Sequence, residues 1–230
     1  MKIIAISTLL VNLIATNALA DELKSDAPFN WTGSYLGAQG GYAWGNSTGG
    51  GVFLLAPGSD VFGDIDPKGA LGGIYAGYNF QLDNRLVIGI EGDINYSRVK
   101  GASVLSLNGT PLPPNKMSAE MDWNASIRGR AGYAIDRFLP YATAGVAFGK
   151  YAITPNYALT DPLSDSTVQS GLTIGAGLEY AITDRLITRF EYRYTDFGDA
   201  SYKIPGFKGL FESKVDLKTQ DIKVGLSYKF

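Results

Sequence analysis

The chain of 230 residues is long enough for one domain, and its 22 acidic residues against 20 Lys and Arg leave a net charge of −2, a balance that gives nucleic acid nothing to hold. It contains no Cys and no His, which excludes disulfides, Ser-His and Cys-His catalysis, and the commonest metal ligand. The 29 glycines and 14 tyrosines favour a sheet-rich fold in which small and aromatic side chains alternate.

Lys2 is followed by an apolar run from Ile3 to Ile14 and by Ala18-Leu19-Ala20. This pattern predicts a cleaved secretory signal over 1–20, the run being too short to span a bilayer as a helix. A polar leader, 21–30, precedes a domain over 31–230.

The first strand is expected over 31–44, with Leu36, Ala38, Gly40, Tyr42 and Trp44 on one face and Tyr35, Gly37, Gln39 and Gly41 on the other. A Gly- and Asp-rich loop follows over 45–68. Its Asp60, Asp64, Asp66 and Gly69 faintly echo a calcium loop, but the closing glutamate is missing and a solvated loop is the reading. The second strand, 69–81, sets Ile74, Ala76, Tyr78 and Phe80 against Gly73, Tyr75, Gly77 and Asn79. After the turn Leu82-Asp83-Asn84-Arg85, the third, 86–98, sets Ile88, Ile90, Ile94 and Tyr96 against Gly89, Glu91, Asp93 and Asn95.

A second loop is expected over 99–116, where Pro111, Pro113 and Pro114 speak against a paired strand. The fourth strand, 117–134, alternates Met121, Trp123, Ala125 and Ile127 with Glu120, Asp122, Asn124, Ser126, Arg128 and Arg130, and turns through Ile135-Asp136-Arg137. The fifth, 138–153, places Ala142, Ala144, Val146 and Phe148 outward. A loop over 154–167 leads to the sixth, 168–181, where Leu172, Ile174, Ala176, Leu178 and Tyr180 oppose Thr173, Gly175, Gly177 and Glu179. The turn Ile182-Thr183-Asp184-Arg185 leads to the seventh, 186–196, with Phe190, Tyr192 and Tyr194 against Arg189, Glu191 and Arg193. After a loop over 197–218, the last strand places Ile222, Val224, Leu226, Tyr228 and Phe230 opposite Asp221, Lys223, Gly225, Ser227 and Lys229.

Eight strands joined alternately by long and short connections, after an export signal, predict an all-β, eight-stranded antiparallel transmembrane barrel. Its short turns are periplasmic and its four long loops extracellular. Location in the outer membrane of a Gram-negative bacterium follows, with lipid around the barrel. Aromatics sort into two belts: Tyr42, Trp44, Tyr96, Tyr151 and Tyr194 toward the loops, and Trp31, Phe80, Tyr133, Phe138, Tyr180, Tyr228 and Phe230 toward the turns.

The charges Glu91, Asp93, Glu120, Asp122, Arg128, Arg130, Glu179, Arg189, Glu191 and Arg193 fall on one face. They read as a paired lumen network, with Arg189, Glu191 and Arg193 next to Glu179 across one hairpin. The glycines Gly73, Gly77, Gly89, Gly175 and Gly177 leave space beside them, which keeps open a narrow porin passing ions or very small solutes as the alternative. No catalytic residue and no metal site is assigned.

The terminal strand, with Lys223, Gly225, Tyr228 and Phe230, resembles the C-terminal signal of bacterial outer-membrane barrels, which implies recognition by the barrel-assembly machinery. Trp31-Thr32-Gly33-Ser34-Tyr35-Leu36-Gly37, Gly129-Arg130-Ala131-Gly132-Tyr133, Leu139-Pro140-Tyr141, Glu191 to Gly198 and Val224 to Phe230 together resemble the small outer-membrane protein family of alphaproteobacteria, which includes surface antigens, porin-like proteins and haemin-binding proteins. The resemblance implies a non-enzymatic envelope role with recognition of a host surface or haemin by the loops. Without histidine, haemin would be held through tyrosine, with the loop residues Tyr157 and Tyr202 as the ones to test, through another weaker ligand, or by aromatic stacking on the porphyrin, and no other cofactor is implied.

Overall fold

The computed structural model describes residues 28–53, 60–107, 110–156, 165–202 and 211–230. Within them the chain forms β1 (Gly33–Phe53), β2 (Asp60–Ile65), β3 (Lys68–Gln81), β4 (Leu86–Leu107), β5 (Thr110–Tyr133), β6 (Phe138–Asn156), β7 (Asp165–Ala181), β8 (Leu186–Tyr202) and β9 (Phe211–Lys229). Every pairing is antiparallel. Eight strands, β1 and β3 to β9, pair each with the next, and β1 closes the cylinder against β9 from Tyr35↔Lys229 to Phe53↔Phe211. Closure leaves no free edge in the hydrocarbon layer, where unpaired backbone groups would cost several kcal/mol each.

The three short turns share one construction. Arg85 and Asp136 adopt left-handed φ angles of 68° and 53°, so that two strands can reverse within a few residues. In each turn the arginine carbonyl accepts a backbone N–H from a neighbouring strand end: Ala134 to Arg85 (2.8 Å), Ala181 to Arg137 (2.9 Å) and Lys229 to Arg185 (2.7 Å). The likeness of the three turn sequences thus has a structural counterpart, since each arginine stitches its turn to the next strand around the rim.

The four expected long loops are much shorter than the spacing suggests. β1 runs on through the Gly-rich stretch to Phe53, and β2 folds back on it from Ser47↔Ile65 to Val52↔Asp60 and touches β4 at Val61↔Leu107. Asp60 and Asp64 of the calcium-like echo therefore lie in a strand. Pro111, Pro113 and Pro114 also lie within β5. They are tolerated because β5 meets β6 only from Lys116 downward, and the β4–β5 register breaks between Val104 and Ser106. A proline on a one-sided, irregular edge removes no necessary donor.

The barrel is apolar outside and polar inside. Ile90, Ile127, Leu172, Ile174 and Val224 are about half exposed or more, while Glu91, Arg128, Glu191 and Lys223 are at most 1% exposed. Soluble proteins show the reverse. The period-two faces read from β1, β3, β4, β6, β7, β8 and β9 have this orientation, including the outward Ala142, Ala144, Val146 and Phe148.

Candidate functional site

Ten ionisable side chains meet inside the cylinder. Glu91 and Asp93 come from β4, Arg128 and Arg130 from β5, Glu179 from β7, Arg189, Glu191 and Arg193 from β8, and Asp221 and Lys223 from β9, all 6% exposed or less. Five acids face five cations, so the set is formally neutral. Such a balance is the condition under which charges survive away from water.

Arg128 is the hub. Its guanidinium donates to Glu91 (2.6 Å), Asp93 (3.2 Å), Glu191 (2.9 Å) and the Thr143 hydroxyl (3.1 Å). Arg189 donates to Glu91 at 2.8 Å and to Gln39, with its guanidinium 3.5 Å from the centre of the Tyr75 ring. Arg130 pairs with Glu179 at 2.9 Å, donates to the Tyr35 hydroxyl at 2.8 Å and stacks 4.2 Å over Tyr141. The Tyr35 hydroxyl in turn donates to Glu91, and that of Tyr141 to Glu191. Arg193 joins Asp221 (2.9 Å) to Asp93 (3.2 Å), and Lys223 lies between Glu191 (3.1 Å) and Asp221 (3.2 Å). Ser126 and Asn95 donate to Asp93, Asn124 accepts from Arg193 and Asn95, and Gln39 donates to Asn95.

The register explains how an eight-stranded interior holds so many long side chains. Almost every large inward residue sits directly opposite a glycine on a neighbouring strand: Tyr35↔Gly77, Tyr75↔Gly37, Asn95↔Gly73, Arg130↔Gly89, Arg128↔Gly145, Tyr141↔Gly177, Arg193↔Gly175 and Arg189↔Gly225. A methyl group on Gly77 would strike the Tyr35 phenol, one on Gly177 would come 2.6 Å from Tyr141, and one on Gly89 would meet Asn79 at 2.6 Å. The space that the glycines leave is therefore occupied. Their abundance and that of tyrosine are two halves of one packing rule, alternation of large and small inside a narrow barrel.

A buried apolar cluster stands at each end of the network. Toward the loops, Ala43, Leu71, Val99, Met121, Ala147, Tyr151 and Phe197 form a buried cluster. Toward the turns, Phe29, Trp31, Val87, Ala134, Leu139, Ala181 and Ile187 form another. The second is a cork made by the chain ahead of β1. The Trp31 indole donates to the Asp136 carbonyl at 3.0 Å, the Phe29 amide donates to the Asp136 carboxylate at 3.2 Å, the Trp31 amide donates to Gln81 at 2.8 Å, and the Phe29 and Trp31 rings meet edge to face.

An inside-out cylinder whose apolar face is fit only for lipid is decided by its family. A model described as the outer membrane protein β-barrel domain matches residues 6–230. The chain belongs to that family. It is 32% identical to the 25 kDa outer-membrane immunogenic protein of Brucella abortus biovar 1, over all of this chain and 98% of that one. It is 32% identical to the 22 kDa outer membrane protein of Rhizobium leguminosarum bv. viciae, over 87% of this chain and 79% of that one. Among solved structures, the outer membrane protein OprG of Pseudomonas aeruginosa shares the fold at 14% identity and TM-score 0.58, covering 89% of this chain and 99% of that one. The protein is an outer-membrane β-barrel of a Gram-negative bacterium, embedded in the lipid of that membrane.

Eight of the ten charges assigned to the lumen meet there; Glu120 and Asp122 do not. β5 carries an extra residue where Met121 and Trp123 register with the adjacent Tyr151 and Lys150 of β6. This bulge flips the faces, so Met121 turns into the loop-side cluster, while Glu120 and Asp122 pair outside with Lys100 (2.9 Å) and Lys150 (3.3 Å). Asp221 and Lys223 take their place in the network. Both stand on the polar face of the last strand, and period two alone marks them. Glu179 registers with Arg189 across the hairpin, but its ion pair is with Arg130, because long side chains reach across so narrow a barrel.

The expected belts also lose two members. Trp31 and Tyr151 are 1% and 4% exposed and belong to the two apolar clusters. In the terminal strand, Lys223 is inside, Gly225 lies under the Tyr75 ring, and Tyr228 and Phe230 meet edge to face at 5.2 Å. The Phe230 amide donates to the Ser34 carbonyl at 3.0 Å. The signal over 1–20, the leader up to residue 27 and Tyr157 lie outside the described residues, and Tyr202 is the last residue of β8.

Proposed function

We propose that this barrel is a non-enzymatic, non-conducting anchor of the envelope that works through its rigidity and through the surface it presents outside the cell. The observation that carries this reading is the interior: a neutral, side-chain-filled ion-pair network with an apolar cluster at each end. A water column would need a polar path through both clusters. The carboxylates that could act as acid or base are committed to arginines, and no histidine is present to replace them. The printed names of the Brucella relatives, outer-membrane immunogenic proteins, support a surface-exposed role here. The export signal over 1–20 and delivery by the assembly machinery through the β9 strand complete the proposal.

Planar-bilayer recording of the refolded chain from Asp21 to Phe230 tests it. With insertion verified by the change in gel mobility on boiling, the expected result is a silent bilayer. Discrete, heat-sensitive conductance steps would replace this reading with that of a narrow porin.

A further inference from the structure

Three cations stand together on the outer wall just beyond the loop-side aromatics. Lys68 on β3 and Lys100 on β4 are direct cross-strand partners, and Arg98 lies two residues below Lys100 on the same outward face. Trp44 registers with Lys68, and Trp123 with Tyr96. Tyr42 and Tyr96 are 48% and 64% exposed, and the Arg98 guanidinium lies 6.0 Å from the Tyr96 ring centre. Aromatic girdles mark the membrane interface, so the cations lie at the height of the outer-leaflet headgroups.

Like charges directly opposite on paired strands destabilise a sheet, and the local acids only partly offset them. Glu120 is engaged by Lys100 and Asp122 by Lys150, while Asp66 stands exposed ahead of β3. Among the described residues neither Lys68 nor Arg98 has an ion pair. A phosphate over this patch would relieve the Lys68–Lys100 repulsion and accept from the Arg98 fork, while acyl chains ran down the exposed Ile74, Ile94 and Ile127.

We propose that Lys68, Arg98 and Lys100 form a binding site for the phosphorylated headgroup of an outer-leaflet glycolipid. The test is a titration of the refolded protein in mixed micelles, followed by the fluorescence of Trp44 and Trp123, with diphosphorylated lipid A, dephosphorylated lipid A and inorganic phosphate as probes. The double variant Lys68→Gln/Arg98→Gln is compared with wild type and with Arg185→Gln on the opposite rim. All are exposed, and retained folding is checked by gel mobility before and after boiling. Diphosphorylated lipid A is expected to bind wild type and Arg185→Gln equally, and the double variant about tenfold or more weakly, with the difference shrinking as salt rises. Equal affinity of wild type and double variant, or equal affinity for dephosphorylated lipid A, overturns the site. Binding of inorganic phosphate as tight as that of lipid A overturns the lipid as its occupant.

Discussion

Arg128 occupies the position in the molecule where a single side chain does most. It alone bridges Glu91 and Asp93 of β4 to Glu191 of β8, and its own bulk fits because Gly145 stands opposite. Replacing it with methionine keeps much of the volume and removes the charge, so that Glu91, Asp93 and Glu191 each lose a donor with no water to replace it, and five buried acids face four cations. Arg128→Met is therefore expected to lower the unfolding free energy by about 3–5 kcal/mol, read as an earlier urea midpoint for the refolded protein. Lys100→Gln, which removes an ion pair whose members are 63% and 41% exposed, is expected to change it by less than about 1 kcal/mol. Equal effects of the two substitutions would show that the network has water access. The identity of the inward residues was legible because period two sorts them. Their partners were not, since Arg130 to Glu179 and Arg189 to Glu91 are contacts across the barrel that no single strand encodes.

At the scale of the element, the short turns carry the tightest local constraint. Arg85 has φ 68° in a turn held by Leu82 N–H to Leu86 O at 2.8 Å and Arg85 N–H to Leu82 O at 3.0 Å. A β-branched side chain is strained in that region and glycine is not. Arg85→Val is expected to destabilise the barrel by about 1–2 kcal/mol and Arg85→Gly to leave it unchanged or slightly more stable, compared by urea midpoint. A loss as large for glycine as for valine would mean that the Arg85 side chain, rather than its backbone, matters. These turns were visible in sequence as repeated Asp and Arg after an apolar run. The length of the strands on the other side was not. Gly49 to Gly51 and Pro111 to Pro114 are breakers by composition, yet Gly49 to Gly51 continue β1 because β2 and β9 pair with them on both sides, and the prolines continue β5 because β6 does not pair with that stretch. The β5 bulge left no mark either: Glu120, Met121 and Asp122 alternate as a regular strand would, and the irregularity shows in the register of β5 with its neighbours β4 and β6.

For the molecule as a whole, the closure proposed for the lumen rests on more than one barrier, and that redundancy can be measured. The cork at the periplasmic mouth rests on Trp31, fully buried and bonded to the turn that joins β5 and β6, so Trp31→Ala removes a large buried side chain and is expected to cost about 3–5 kcal/mol. If the cork were what shuts the barrel, the variant would also conduct. The ion pairs above it argue otherwise. Arg130 with Glu179, then Arg189 with Glu91, then Arg128 with Glu191 and Arg193 with Asp93 follow one another as buried ion pairs along the interior, and the Met121, Tyr151 and Phe197 cluster lies beyond them. Trp31→Ala is accordingly expected to unfold earlier in urea and yet stay silent in a planar bilayer. Conductance steps from Trp31→Ala alone would assign closure to the cork and recast the charged layers as the lining of a gated path.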